Sequence, residues 1–230
     1  MNSNIKVIAF DADDTLWVNE TYFRDAERAF ARLLSSYETE NKIDQELFKI
    51  EIKNLSLYGY GIKGFLLSMV ECALELSDYQ IPPKVIEEIL VIGKNMLQQP
   101  IELLEGVVET LQKLNRKYKL IVATKGDLLD QERKLEKSGL LKYFHHVEVM
   151  SDKKPEDYKK LINHLDIKPN ELLMVGNSLK SDVLPLIEIG ASAIHIPFHT
   201  TWAFEQVSDQ DSKNSEFRIL HNIREILDIV

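Results

Sequence analysis

The sequence predicts an α/β protein: a doubly wound, Rossmann-like parallel sheet with an all-helical block inserted after its first strand. Three observations predict it. Apolar, β-prone runs recur at Val7–Phe10, Leu120–Ala123, Leu172–Val175 and Ala191–Ile196. Continuous apolar runs of this length suit strands buried on both faces of a parallel sheet. Helical patterns separate the last three runs, as right-handed βαβ units require. From about Glu20 to Pro100, by contrast, helical patterns follow one another with no clear strand.

The first run ends abruptly in Asp11-Ala12-Asp13-Asp14-Thr15. Carboxylates gathered at a strand end repel one another unless a cation, a proton or a basic side chain balances them. The economical reading is a strand whose carboxyl end holds a divalent metal and a reactive carboxylate. The bland alternative is that Asp and Thr here are turn and cap residues.

The insert reads as helices over Tyr22–Tyr37, Asp44–Leu57, Lys63–Leu76 and Pro83–Met96. It is broken at Tyr58-Gly59-Tyr60-Gly61 and at Gln80-Ile81-Pro82-Pro83. The expected domains are a core of residues 1–18 and 101–230 and a helical cap of residues 19–100. The insert is either a lid over the strand ends or an elaborate crossover without function. Val107, Val108, Leu111 and Leu114 then mark one face of a helix before the second strand. Leu128–Ser138 forms the next helix and stops at Gly139, a C-cap position. Val147-Glu148-Val149 is a weaker fifth strand, and Tyr158–Leu165 a helix. Val183, Leu186 and Ile187 lead to Gly190. Ser208–Glu216 reads as a polar surface loop, and Phe217–Val230 as a short strand or turn with a closing helix at Asn222–Ile229.

Composition narrows the function. The chain has 230 residues, 44% hydrophobic and 28% charged, which fits a soluble globular protein. A net charge of −9 disfavours nucleic acid as a partner but leaves a small anionic substrate open. A single cysteine, Cys72, allows no intramolecular disulfide, and its helical neighbours make it a buried thiol. No stretch has signal-peptide form, and no apolar run approaches the ~20 residues that span a bilayer. The expected location is the cytoplasm, with no membrane partner.

Ligands of open α/β sheets bind beyond the carboxyl ends of the strands. Those ends would gather Asp11, Asp13, Thr124, Lys125, Asn177 and Asp182, and the loop Met150–Pro155 adds a lysine. This set offers oxygen ligands for a hard cation such as Mg²⁺, a hydroxyl and a fixed positive charge. With no HExxH, CxxC or histidine cluster, zinc is not expected; with no GxxxxGK[ST] or GxGxxG, a nucleotide fold motif is not supported. His145 and His146 are assigned to a strand edge and not to a metal. His195, His199 and Trp202 are expected to serve packing or the surface.

Taken in order, the motifs resemble those of the haloacid dehalogenase superfamily of phosphohydrolases. A DxDxT motif follows the first strand, and Thr124 ends the second. Lys154-Pro155 matches a lysine often followed by proline, and Gly176-Asn177-Ser178-Leu179-Lys180-Ser181-Asp182 matches the acidic strand end. The resemblance covers essentially the whole chain. It implies that Asp11 attacks phosphorus and forms an aspartyl-phosphate, and that Asp13 protonates the leaving oxygen and then activates water. Thr124 and Lys125 would contact the phosphoryl group, and Lys154 would neutralise charge, with Lys153 the alternative occupant. Mg²⁺ would be held by Asp11, the Asp13 backbone carbonyl, Asn177 and Asp182. Family members commonly carry Asp where this chain has Asn177, which offers one neutral oxygen. Whether Asn177 or Asp182 touches the ion is open.

The second aspartate selects the reaction. A halide leaves without a proton, whereas an alkoxide needs one, so Asp13 favours a phosphomonoester over a haloacid. The expected function is Mg²⁺-dependent hydrolysis of a small phosphorylated metabolite. A non-catalytic module on the same fold is the alternative, and a 2-haloacid dehalogenase the more distant one. The insert resembles the family's helical cap, and its turn Tyr58–Phe65 is expected either to face the site or to be an ordinary helix–helix turn. Trp17, Asn19 and Glu20, just after the nucleophile, are expected to line the entrance, with Trp17 alternatively a core anchor of that loop.

Overall fold

A computed structural model describes residues 4–208 and 217–230; most of the polar loop expected at Ser208–Glu216 lies outside the described residues. The strands are β1 (Val7–Phe10), β2 (Lys119–Lys125), β3 (His146–Met150), β4 (Leu172–Gly176), β5 (Ser192–His195) and β6 (Arg218–Ile219). They form one parallel sheet of six strands in the order β3-β2-β1-β4-β5-β6. The order reverses direction at β1, so the strand carrying Asp11 sits centrally, at the switch point where such sheets bind ligands.

Alternation along the strands builds two cores. Ile8 and Phe10 face one side with Val122 and Val175, against Val107, Leu111 and Leu114 of α5 (Val107–Leu114) and Ile223 and Ile226 of a closing 3-10 helix. Val7, Ala9, Ile121 and Ala123 face the other, against Tyr158, Leu161 and Ile162 of α7 (Pro155–His164) and Leu186 of α8 (Leu184–Glu188). Every residue of β1 is buried, as a central parallel strand requires. Val108, expected on the buried face of α5, is exposed; Thr110 takes an inward position instead. The closing helix, expected at Asn222–Ile229, is a 3-10 helix at Ile223–Asp228, capped by the Asn222 side chain, which accepts from the Arg224 amide at 2.9 Å.

The helical insert holds α1 (Glu20–Leu33), α2 (Glu40–Tyr58), α3 (Ile62–Leu76) and α4 (Pro83–Gln98) around its own core of Phe30, Ile43, Leu47, Met69 and Ile89. Cys72 is buried in that core, and burial pushes its thiol up to about 12. Two compact units result. One runs to Glu20, over Ile101–Lys125 and from Gln131 onward; the other is Thr21–Pro100 with Gly126–Asp130. Both boundaries differ from the expected 18/19 and 100/101 division for local reasons. Asn19 and Glu20 stay with the sheet unit because their amides donate to the Asp14 carboxylate at 2.8 and 3.0 Å. Gly126–Asp130 joins the helical unit, where Lys63 pairs with Asp127 at 2.8 Å. Within the turn Tyr58–Phe65, a Cβ on Gly64 would meet the Gly59 carbonyl oxygen at 2.9 Å, so the turn closes only with glycine there. Among the described residues, no helix is long and apolar enough to cross a membrane.

Candidate active site

At the end of β1, Asp11 is buried and its two oxygens have different partners. Oδ1 accepts from Lys153 Nζ at 2.5 Å; Oδ2 accepts from Thr15 Oγ1 at 3.3 Å. Lys153 Nζ also donates to Asp182 Oδ1 at 2.6 Å. One ammonium therefore serves two buried carboxylates, leaving the trio one negative charge in excess. Burial raises the Asp11 carboxyl to about 7, and the Asp182 and Asp13 charges push the same way against Lys153. Burial alone would lower the Lys153 pKa, but Asp11 and Asp182 hold it well above the ordinary lysine value.

The turn after β4 is shaped to bring Asp182 back. Leu179–Val183 winds as a π-helix, a form often found at functional sites. The Ser178 side chain accepts from the Ser181 amide at 3.0 Å, and Asp182 Oδ2 accepts from the Ser178 amide at 3.0 Å. A Cβ on Gly176 would lie 2.3 Å from the Asp182 carboxylate, so only glycine lets the two approach. His195 Nε2 donates to the Asn177 carbonyl at 2.9 Å and braces the same turn; burial keeps this imidazole below its usual pKa.

Asp13 has a different environment. Oδ1 accepts from Trp17 Nε1 at 2.7 Å and from Lys134 Nζ at 2.9 Å, and Oδ2 from Gln131 Nε2 at 2.8 Å. Burial would raise this carboxyl too, but the Lys134 charge and the three donors outweigh it and hold the pKa below the usual carboxylate range. Lys134 also donates to Asn19 Oδ1 at 2.8 Å. Gln131 links Asp13 to Thr124, donating to its Oγ1 at 3.2 Å. Gln131 and Lys134 stand three apart on α6 (Leu128–Ser138), and so share a face.

The donors around Asp11 fit a small hard cation. One terminal atom of the Asn177 amide lies 3.2 Å from Asp11 Oδ2, 3.2 Å from the Asp13 carbonyl oxygen and 3.1 Å from Thr15 Oγ1. With nitrogen in that position, its two N–H groups face three acceptor oxygens. With oxygen there, three candidate ligand oxygens (Asn177 Oδ1, Asp11 Oδ2 and the Asp13 carbonyl) converge at the spacing of about 3 Å that adjacent ligands take around octahedral Mg²⁺. The excess negative charge of the Asp11 trio gives a cation its electrostatic reason. Both oxygens of Asp182 are already engaged, by Lys153 and the Ser178 amide.

The structure thus brings together Asp11, Asp13, Thr124, Asn177 and Asp182. It does not bring Lys154. That residue is the N-cap of α7 with an extended backbone; its side chain is 70% exposed and pairs with Asp152 at 2.9 Å. Pro155 fixes the start of the helix, and neighbours in extended chain point to opposite sides, so the lysine directed inward is Lys153, with its side chain 2% exposed. Lys125 reaches Ser181 Oγ at 3.0 Å and pairs with Glu205 at 2.5 Å. Glu205 also accepts from Ser178 and Ser181 hydroxyls, at 2.5 and 2.6 Å. The Lys125 charge is thereby matched by a carboxylate. Trp17 is fully buried and anchors the loop. Sequence reasoning missed Gln131, Lys134 and Glu205. The first two carried a signal, polar residues on one face of the helix that follows Thr124; Glu205 carried none. His199 is exposed, and Trp202 stacks near Phe204 with ring centroids 5.1 Å apart.

A family model described as haloacid dehalogenase-like hydrolase matches residues 5–190. Human N-acylneuraminate-9-phosphatase is 25% identical over 202 aligned residues, covering 83% of this chain and 82% of that protein. Glyceraldehyde 3-phosphate phosphatase of Methanopyrus kandleri is 24% identical, covering 98% of this chain and 97% of its own. A solved haloacid dehalogenase-like family hydrolase from Xanthomonas campestris superposes with a TM-score of 0.81 at 38% identity, over 91% of this chain and 88% of that one. A 2-haloacid dehalogenase from Pseudomonas syringae superposes with a TM-score of 0.62 at 18% identity, over 98% of this chain and 97% of that one, a likeness of fold alone.

Proposed function

The chain belongs to the haloacid dehalogenase-like hydrolases, and from that premise we propose that it is a Mg²⁺-dependent phosphatase acting on a small phosphomonoester through an aspartyl-phosphate on Asp11. The observation that carries the reading is the buried Asp11 trio, one ammonium between two carboxylates, beside the converging oxygens of Asn177 and the Asp13 carbonyl.

Asp11 supplies the attacking carboxylate oxygen, and Lys153, held on Oδ1, fixes the carboxylate plane. The P–O bond to the alcohol breaks as the bond to Asp11 forms, and Asp13 gives the leaving oxygen its proton. In the second step Asp13 takes a proton from water as water attacks phosphorus and releases Asp11. Thr124 offers its hydroxyl to the transferred group. Lys153 takes the charge-balancing role in place of Lys154, and Asp182 holds Lys153 in position. Bound among Asp11, the Asp13 carbonyl and Asn177, Mg²⁺ would supply positive charge to the phosphoryl oxygens. The named activities of the relatives favour small phosphorylated metabolites as substrates, sugar-type phosphates among them. The helical insert is proposed to select among them.

The test is phosphate release across a panel of sugar and small-metabolite phosphates with Mg²⁺. Turnover that needs Mg²⁺ and falls by at least about 10⁴-fold in Asp11→Asn supports the proposal. A non-catalytic module, favoured only by Asn177 standing where an acid is usual, is the reading supported if folded, Mg²⁺-supplied protein turns over nothing in the panel.

A further inference from the structure

We propose that His146, Glu148 and His164 form a surface site for a divalent transition-metal ion of the zinc class, separate from the Asp11 centre. β3 is an edge strand, and His146 and Glu148, two apart, share one of its faces. Their register partners on β2, Ile121 and Ala123, face α7, so both side chains project to the α7 side of the sheet. His164 ends α7 and completes the group. Glu148 Oε2 lies 2.8 Å from His146 Nε2 and 3.7 Å from His164 Nδ1, and one ligand atom from each residue lies within 4.8 Å of the others. The two rings stand nearly perpendicular, at 84°, with centroids 5.2 Å apart.

Two imidazoles and a carboxylate are a donor set that zinc accepts, with water in the fourth position. Zinc–ligand bonds of about 2.1 Å place tetrahedral neighbours about 3.4 Å apart. The 2.8 Å contact must open slightly and the wider ones close, which the exposed His164 side chain permits. The last turn of α7 presents the negative end of a helix ten residues long, which favours a cation beside His164. Nitrogen donors also separate this site from the all-oxygen set at Asp11, since imidazole selects zinc-like ions over Mg²⁺.

The ion would tie the start of β3 to the end of α7. The loop between them carries Lys153, so the clip would brace the frame that holds this lysine against Asp11 and Asp182. The site stands or falls independently of the proposed phosphatase reaction.

The probe is Co²⁺, a spectroscopic stand-in for Zn²⁺, titrated into the full chain with Mg²⁺ in excess to keep oxygen sites filled. The expected result is visible ligand-field absorption of a low-coordinate nitrogen–oxygen site, displaced by Zn²⁺ and retained in Asp11→Asn. Affinity should fall by about tenfold or more in both His164→Ala and His146→Ala, since even loss of outer partners costs this much at metal sites. Zn²⁺ should also raise the melting temperature of wild type but not of His164→Ala. The proposal is overturned if the folded wild type shows no such absorption, or if both histidine variants keep it at unchanged affinity.

Discussion

Asp11 and Asp13 stand two residues apart, the first buried and the second half-buried, yet their surroundings push their carboxyls in opposite directions. Asp11 shares one ammonium with Asp182 and is raised to about 7. Asp13 has the Lys134 ammonium, with Gln131 and Trp17 as further donors, and is lowered. Burial acts on both in the same sense; the supply of positive charge and donors decides the outcome. The Asp11 region is electrically incomplete and suited to receiving a cation and a phosphoryl group. The Asp13 region is complete, with three donors holding its carboxylate in place.

The largest break in this comparison is Lys153→Met. It removes the ammonium that Asp11 and Asp182 share and leaves two buried carboxylates facing each other. Turnover should drop by about 10²–10³, the scale of losing one fixed electrostatic stabiliser. Breaking a buried pair should also cost about 3–5 kcal/mol of stability, read by denaturant unfolding. A Lys153→Met protein with wild-type turnover would remove the lysine from the chemistry.

A smaller effect is expected at the other carboxylate. Lys134→Met takes away the charge that opposes burial at Asp13, so the Asp13 pKa should rise. A group that must be protonated to serve as an acid then stays protonated to higher pH. The alkaline limb of the pH–rate profile assigned to it should move upward, with turnover at the optimum reduced about tenfold or less. A downward shift would reverse the assignment.

The smallest effect belongs to Lys154→Ala. Its side chain is 70% exposed and meets only Asp152 and solvent-side acids. Activity should stay within about twofold, because this side chain pairs with Asp152 at the surface and not with Asp11. The contrast between neighbours 153 and 154 is a direct check on which lysine belongs to the site.

Much of this was legible in the chain. Continuous apolar runs at Val7–Phe10 and Leu172–Val175 announce buried parallel strands, and each ends in the polar residue that enters the site. The insert was readable because its helical periods are long and broken by Gly and Pro. The choice between Lys153 and Lys154 was not readable, because a motif pattern carries spacing but not the direction of a side chain. That direction follows from the extended backbone ahead of Pro155. Gln131 and Lys134 share a polar helix face that the sequence shows, but that this face meets Asp13 is visible only in the fold. Glu205 is far along the chain, and nothing local in Trp202–Gln206 marks a carboxylate that will pair with Lys125. The triad His146, Glu148 and His164 was hidden likewise, since His164 lies a whole helix away from the strand.

The most direct test of Asp11 as nucleophile is acid-quenched turnover of a good phosphate ester, followed by mass spectrometry of the peptide containing Asp11. The expected result is an adduct of one HPO₃ on Asp11, seen during turnover with Mg²⁺ and absent in Asp11→Asn. Undiminished turnover in Asp11→Asn, or an adduct on a different residue, would contradict it.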